Sequence, residues 1–198
     1  MLFKRIASNA EVADSEFDLI YPPGMEETAE IHFTPVHIAK TAARYLADSK
    51  DAKILDVGSG AGKFCMIGAA CTEAHFVGVE LREDLCVTAN RVSKHYNLKN
   101  VEFINSNITN IDFTKFDAFY FYNSFYENVV PSGRIDEEIK LSRELYDEYS
   151  LYMKEQLDKM PIGTKLVTYF SYLKEVPDSF DVRFILADGK LKMWEKMY

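Results

Sequence analysis

The sequence predicts an α/β fold: a mostly parallel sheet of seven strands with helices on both faces, closed by an antiparallel hairpin. Three observations carry this expectation. From residue 53 onwards, short apolar runs alternate with longer amphipathic stretches, the pattern of parallel strands joined by crossover helices. One strand-like run enters Gly58-Ser59-Gly60-Ala61-Gly62 directly before a helix-like stretch, which marks a tight, ligand-approachable turn. Near the end, two strand-like segments flank Asp188-Gly189, a hairpin signal.

Residues 1–24 read as an irregular arm, because Pro22-Pro23-Gly24 breaks any regular element there. Phe33-Thr34-Pro35 looks like a helix start, with Thr34 as N-cap and Pro35 at the first helical position. Ile38, Ala42, Tyr45 and Leu46 give that helix one buried face. The domain division expected is an N-terminal arm over 1–30 and one domain over 31–198.

Lys53 to Val57 reads as the first strand, with the near-continuous apolar run of a strand buried on both faces. Lys63 to about Cys71 is a helix, His75 to Glu80 a strand, and Glu83 to Tyr96 a helix with Leu85, Ala89 and Val92 on one face. Val101 to Asn105 is a third strand, and the aromatic-rich Phe116 to Tyr122 a fourth. Ile135, Ile139, Leu145, Tyr149, Met153 and Leu157 recur at roughly helical spacing, which predicts one long amphipathic helix from Ile135 to about Lys159. Pro161-Ile162-Gly163 ends it. Lys165 to Phe170 is a fifth strand, and Phe180 to Leu186 and Leu191 to Met197 form the hairpin.

The chain has 198 residues, 47% hydrophobic and 27% charged, the composition of an ordinary globular domain. The formal net charge is -8 and the pI about 5.1. A phosphate backbone needs a basic face, and no Lys/Arg cluster supplies one, so nucleic acid is disfavoured as a partner. No apolar run suggests a membrane span. Met1-Leu2-Phe3-Lys4-Arg5 leads into polar residues, so no signal peptide is expected. Three cysteines, Cys65, Cys71 and Cys86, have no metal-ligand spacing. They read as reduced, buried thiols in a cytoplasmic protein, and no metal is expected.

The glycine loop narrows the chemistry. Glycines allow the tight turn and close backbone approach, and the following helix offers free N–H groups. In a dinucleotide site these face a pyrophosphate, usually with spacing G-x-G-x-x-G. Here Gly58, Gly60 and Gly62 are one residue tighter, and Asp56 precedes them. A carboxylate would repel a pyrophosphate but attract the ammonium of a methionine moiety. Glu80 closes the second strand about 20 residues past the first glycine, where a carboxylate can accept from both ribose hydroxyls. The cofactor these residues point to is S-adenosyl-L-methionine.

Residues 31–130 resemble the class I S-adenosylmethionine-dependent methyltransferase family. The segment from Ile54 to Phe64, with Ser59 inside the loop, is similar to its first motif, and Phe76 to Leu81 to its second. The resemblance implies a Rossmann-like sheet that ends in an antiparallel hairpin. It also implies that Asn107 meets the adenine amino group through its amide oxygen, and that Leu81 and Ile108 sandwich the ring. Thr34-Pro35 before the first helix resembles the Dot1-like bacterial group, which places Thr34 on the cofactor side.

Ligands of such sheets sit at the carboxyl ends of the strands. At the end of the fourth strand the chain reads Tyr122-Asn123-Ser124-Phe125-Tyr126-Glu127-Asn128. Asn-Ser-Phe-Tyr resembles the N-P-P-[YF] motif of amino-group methyltransferases with both prolines replaced, and also the Asn-Asn-Phe of Dot1-type protein lysine methyltransferases. Both resemblances imply transfer to nitrogen, with Asn123 accepting from the target amine and Tyr126 lining the substrate pocket. The charge and the missing prolines favour a protein amine, most simply a lysine side chain. Most of Phe119, Tyr120, Phe121, Tyr122 and Phe125 should be packing. Glu127 reads equally as an ammonium or proton partner and as a solvated acid. Of His32, His37, His75 and His95, only His32 falls near a plausible site. A small-molecule methyltransferase and a non-catalytic cofactor-binding scaffold are the competing readings. A nicotinamide oxidoreductase is disfavoured by Asp56 and the hairpin.

Overall fold

Seven strands build one sheet: β1 (Lys53–Val57), β2 (His75–Glu80), β3 (Val101–Asn105), β4 (Ala118–Phe121), β5 (Lys165–Tyr169), β6 (Phe180–Leu186) and β7 (Leu191–Lys196). Their spatial order is β3-β2-β1-β4-β5-β7-β6. The computed structural model describes residues 2–131 and 134–198, so Met1 of the expected arm lies outside the described residues. β1 to β5 run parallel, and β7 inserts antiparallel between β5 and β6. The strand order reverses between β1 and β4, which opens a crevice beyond their carboxyl ends.

The helices are α1 (Leu2–Ala7), α2 (Asp14–Phe17), α3 (Glu26–His32), α4 (Val36–Leu46), α5 (Lys63–Cys71), α6 (Glu83–His95) and α7 (Arg143–Asp158). The strands divide two cores because their side chains alternate. Ile54, Phe76, Tyr120 and Val167 face the layer of α4 and α5. Leu55, Val77, Phe119, Phe121 and Leu166 face Phe113 and the apolar stripe of α7, Tyr149, Met153 and Leu157. The aromatic run of β4 is therefore core on both faces, as expected of its packing members. Leu85, Ala89 and Val92 of α6 are buried as their spacing implies. Among the described residues no helix is long and apolar enough to cross a membrane.

Three expectations are corrected. The arm is not irregular throughout: residues 2–20 include α1, α2 and a 3-10 turn at Asp18–Ile20, joined by a coil over 8–13. Ile6 and Phe17 are fully buried in the same cluster as α4 and α5. Thr34 does not cap α4. Pro35 occupies the N-cap position, and the Val36 N–H donates instead to Asp14 Oδ1 at 2.8 Å. The cap comes from a distant segment, which local pattern cannot reveal. The long helix begins at Arg143, not Ile135. Glu127 Oε2 accepts from the Ile135 N–H and Asp136 Oδ1 from the Glu138 N–H, both at 2.8 Å. Side chains that claim backbone donors this way compete with a helix. Ser142 then starts α7, its Oγ accepting from the Leu145 N–H at 3.3 Å.

Candidate active site at the carboxyl edge of the sheet

Where β1 ends, the backbone turns through Gly58, Gly60 and Gly62, all at positive φ (71°, 54° and 83°). The Gly58 and Ser59 N–H groups both donate to the Val79 carbonyl at 2.9 Å, which ties the loop to β2. A Cβ at Gly58 would overlap the side chain of Ser124, and one at Gly62 would overlap the Phe103 ring. Conformation and space both require glycine at these two positions.

Glu80 is the second clamp on this loop. Its Oε2 accepts from the Gly60 N–H and its Oε1 from the Arg82 N–H, each at 2.8 Å. Burial pushes the carboxyl up from its ordinary range, and the two backbone donors oppose that. A carboxylate offers about four lone-pair sites, so each oxygen keeps one for a ligand hydroxyl.

Asp56 lies buried beneath the loop and accepts from Cys65 Sγ at 3.3 Å. Burial raises its pKa to about 7, the Cys65 bond working against that and nearby Glu80 adding to it. The hydroxyl of Thr34 shares a 2.9 Å hydrogen bond with that of Tyr120, whose ring stacks on Phe64 at 3.8 Å. Ser59 Oγ is buried without a hydrogen-bond partner among the described residues. An orphaned hydroxyl in the loop is the kind of group a polar ligand would satisfy.

Asn107 performs a job that its sequence position did not reveal. Its Oδ1 accepts from both the N–H and the hydroxyl of Thr109 at 3.0 Å, and its Nδ2 donates to the Tyr149 hydroxyl at 3.0 Å. The amide thus caps the 3-10 turn Ile108–Asn110. An adenine amine would reach Oδ1 only after the Thr109 hydroxyl rotates away. Leu81 and Ile108 line the same cavity.

Two ionic clusters flank the loop, and sequence reasoning found neither. Lys63, the first residue of α5, is only 2% exposed, and its Nζ donates to Asp14 at 2.7 Å and Asp18 at 2.8 Å. The four-residue spacing of those acids is a signal the arm did carry. On the other side, Arg82 donates to both oxygens of Glu127, at 3.0 and 2.9 Å, and through Nε to Asp136 at 2.6 Å. Glu127 is therefore neither a solvated acid nor a free ammonium partner. It is a buried, bidentate ion-pair partner of Arg82.

Asn123 follows β4 with φ of 41°, and its carbonyl accepts from the Tyr126 N–H at 2.9 Å. Ser124 Oγ donates to the Val57 carbonyl, joining the ends of β4 and β1. One cavity of about 450 Å³ contains the glycine loop, Asp56, Glu80, Thr34, Asn107, Asn123 and Tyr126 on its walls. That volume falls within the usual range for small-molecule sites. All the predicted site residues meet there except Gly62, which sits beneath, against Phe103. His32 lines the cavity too, while His95 is exposed on α6.

A family profile described as a methyltransferase domain matches residues 48–156, more than half of the chain. No curated protein sequence matches the chain. Among solved structures, the RNA methyltransferase from Salinibacter ruber, in complex with S-adenosyl-L-homocysteine, has a TM-score of 0.59 at 20% identity. That match covers 83% of this chain and 93% of the other. The Streptococcus mutans protein SMU.1697c, solved with the same compound, has a TM-score of 0.55 at 17% identity, over 80% of this chain and 97% of the other. The [4+2]-cyclase SpnF matches at a TM-score of 0.53 and 18% identity over 67% of this chain. This chain spans 43% of the length of that cyclase.

Proposed function

The chain belongs to the methyltransferase domain family, and from that premise we propose that it binds S-adenosyl-L-methionine and transfers the methyl group to a nitrogen atom. The observation that carries this reading is the single cavity in which the Glu80-clamped glycine loop and Asn123 face common space. Glu80 would hold the ribose hydroxyls through its two remaining lone pairs. Asp56 would face the methionine ammonium, and Ser59 Oγ would gain a partner. Leu81 and Ile108 would cover the adenine, with Asn107 turned towards its amine.

The bound sulfonium supplies an activated methyl group. The protein's part is to fix the acceptor nitrogen in line with that group and to keep water away. Asn123 is suited to the first task. Its amide has no hydrogen-bond partner among the described residues, so its oxygen is available to an acceptor N–H. Tyr126 and Phe125 supply the apolar wall beside it.

A lysine side chain, the acceptor favoured from sequence, draws less support from the geometry. The acid that would meet its ammonium, Glu127, is taken by Arg82. The scaffold reading weakens too. The serine that departs from the proline motif has a structural task, joining β4 to β1. Calorimetric titration with S-adenosyl-L-homocysteine, followed by labelled-methyl transfer into protein, nucleic-acid and metabolite fractions, tests the reading. Binding without transfer into any fraction leaves only the scaffold.

A further inference from the structure

The cavity does not stop at Asn123. It continues to the carboxyl end of β5, where Phe170 and Tyr172 form its mouth together with Tyr122. Phe170 has a φ of 52°, a conformation that bulky residues rarely adopt. Its N–H donates to the Lys190 carbonyl at 2.9 Å, which fixes the backbone there. The ring is held 6.1 Å from that of Tyr122, yet Phe170 stays 43% exposed and Tyr172 59% exposed. Asn123, at the end of the neighbouring strand, is also at positive φ. Strain at adjacent strand ends, both facing one cavity, is a mark of a functional site.

The carboxylate at this end is already matched. Glu127 is paired with Arg82, which also holds Asp136, and the other lining carboxylates, Asp56 and Glu80, lie at the glycine loop. What remains towards the mouth is aromatic surface, the Asn123 amide, the His32 imidazole and two ammonium groups: the exposed Lys140, and Lys190, whose Nζ lies 5.0 Å from the Phe170 ring centroid. Cations there disfavour a lysine ammonium as the acceptor and leave room for an uncharged ring. His32 ends α3, and the preceding carbonyl, of Ile31, accepts from the Tyr122 hydroxyl at 3.1 Å. That bond anchors the turn carrying His32 to the end of β4.

We propose that the acceptor is an uncharged, planar nitrogen ring of the nucleobase type, stacked among Tyr122, Phe170 and Tyr172, and that His32 takes the proton its nitrogen releases. This inference rests on the methyl-transfer reading above. The exocyclic amine nitrogen of the ring gains the methyl carbon, and the donor's carbon–sulfur bond breaks with its electron pair left on sulfur. The new N–methyl centre then loses its proton to the imidazole and on to solvent. Burial lowers the His32 pKa, assisted by Arg82 and opposed by Glu127. Such an imidazole is too weak a base for a lysine ammonium. It suffices for a methylated aromatic amine, whose N–H is strongly acidic.

The test uses the full chain saturated with S-adenosyl-L-homocysteine, whose binding is measured first. Failure of that step overturns the parent reading and this one with it. Adenosine, cytidine, guanosine and Nα-acetyl-lysine amide are then titrated by calorimetry. Saturable binding of a nucleoside, weakened by about tenfold or more in Phe170→Gly, supports the proposal. Glycine tolerates the positive φ, so relief at that position offsets part of the lost ring packing; thermal unfolding of the variant confirms that it is folded before the titration is read. His32→Gln should keep nucleoside affinity while slowing labelled-methyl transfer by about a hundredfold. In the parent protein the rate should fall as acid protonates His32, and the imidazole NMR signals should shift when the nucleoside binds. Transfer into free nucleosides or into RNA separates the two sources of the ring. Label entering the lysine probe instead, or no ring bound or labelled while S-adenosyl-L-homocysteine binds, overturns it.

Discussion

Glu80 and Gly60 are joined by a 2.8 Å hydrogen bond from backbone N–H to carboxylate, so the acid that closes β2 also shapes the loop that follows β1. Recognition and loop geometry therefore depend on one side chain. Glu80→Ala should weaken S-adenosyl-L-homocysteine binding by about 10- to 100-fold, the equivalent of one charge-assisted bond. It should also lower the melting temperature of the free protein. Glu80→Gln keeps an acceptor oxygen for one backbone donor and should fall between. Calorimetry and thermal unfolding of the three proteins check this.

Arg82 and Glu127 are a buried bidentate pair, and removing one partner strands the other. Glu127→Gln or Arg82→Met alone should cost about 3–5 kcal/mol of folding stability, and the double variant should recover part of that loss. Asp136 also contacts Arg82, so recovery is incomplete. Denaturant unfolding of the double-mutant cycle measures the coupling.

Gly58→Ala forces both a strained φ and an overlap with Ser124. The expected loss of stability is about 1–3 kcal/mol, larger than for alanine at the unobstructed Gly163. Gly163 also has a positive φ, 88°, but no neighbouring atom obstructs a Cβ there. The difference between the two variants in chemical denaturation isolates the contact with Ser124.

Asp56 and Glu175 are both carboxyls pushed up to about 7, chiefly by burial. A raised acid favours the protonated folded state. Each contributes stability that is complete below its unfolded pKa near 4 and is lost as pH rises through about 7. Asp56→Asn should flatten that part of the stability profile. Only Asp56 lines the cavity, and a methionine ammonium beside it would lower its pKa. Binding of S-adenosyl-L-homocysteine near pH 6.5 should therefore release protons, seen as a dependence of the calorimetric heat on buffer ionisation. That release should vanish in Asp56→Asn and persist in Glu175→Gln.

The sheet was legible because its strands are short, doubly buried and separated by strong turn residues. The loop from Asp56 to Gly62 and the acid at Glu80 were legible because they are local and their spacing is restrictive. What stayed hidden depends on long-range partners. Asp14 caps α4 and pairs with Lys63 only because the chain folds back over α5. Residues 135–142 carry helical spacing, yet Glu127 and Asp136 claim their backbone donors. The likeness to the family's third-strand motif points Asn107 at adenine, but the capping task it performs on Thr109 shows only once the 3-10 turn is folded. Arg82 is silent in the sequence because nothing local shows that Glu127 and Asp136 converge on it.

Asn123→Ala separates binding from transfer. It should leave S-adenosyl-L-homocysteine affinity within about twofold, since the change lies beyond the loop contacts, and slow methyl transfer by about tenfold or more. Equilibrium titration and single-turnover transfer on the same preparation test both halves.

The most direct measurement is calorimetric titration of the folded protein with S-adenosyl-L-homocysteine, with NAD as the parallel ligand. The account predicts one saturable site for S-adenosyl-L-homocysteine, weakened in Glu80→Ala, and no binding of NAD. A folded protein that binds NAD, or that gives no heat with S-adenosyl-L-homocysteine at high micromolar concentration, would contradict it.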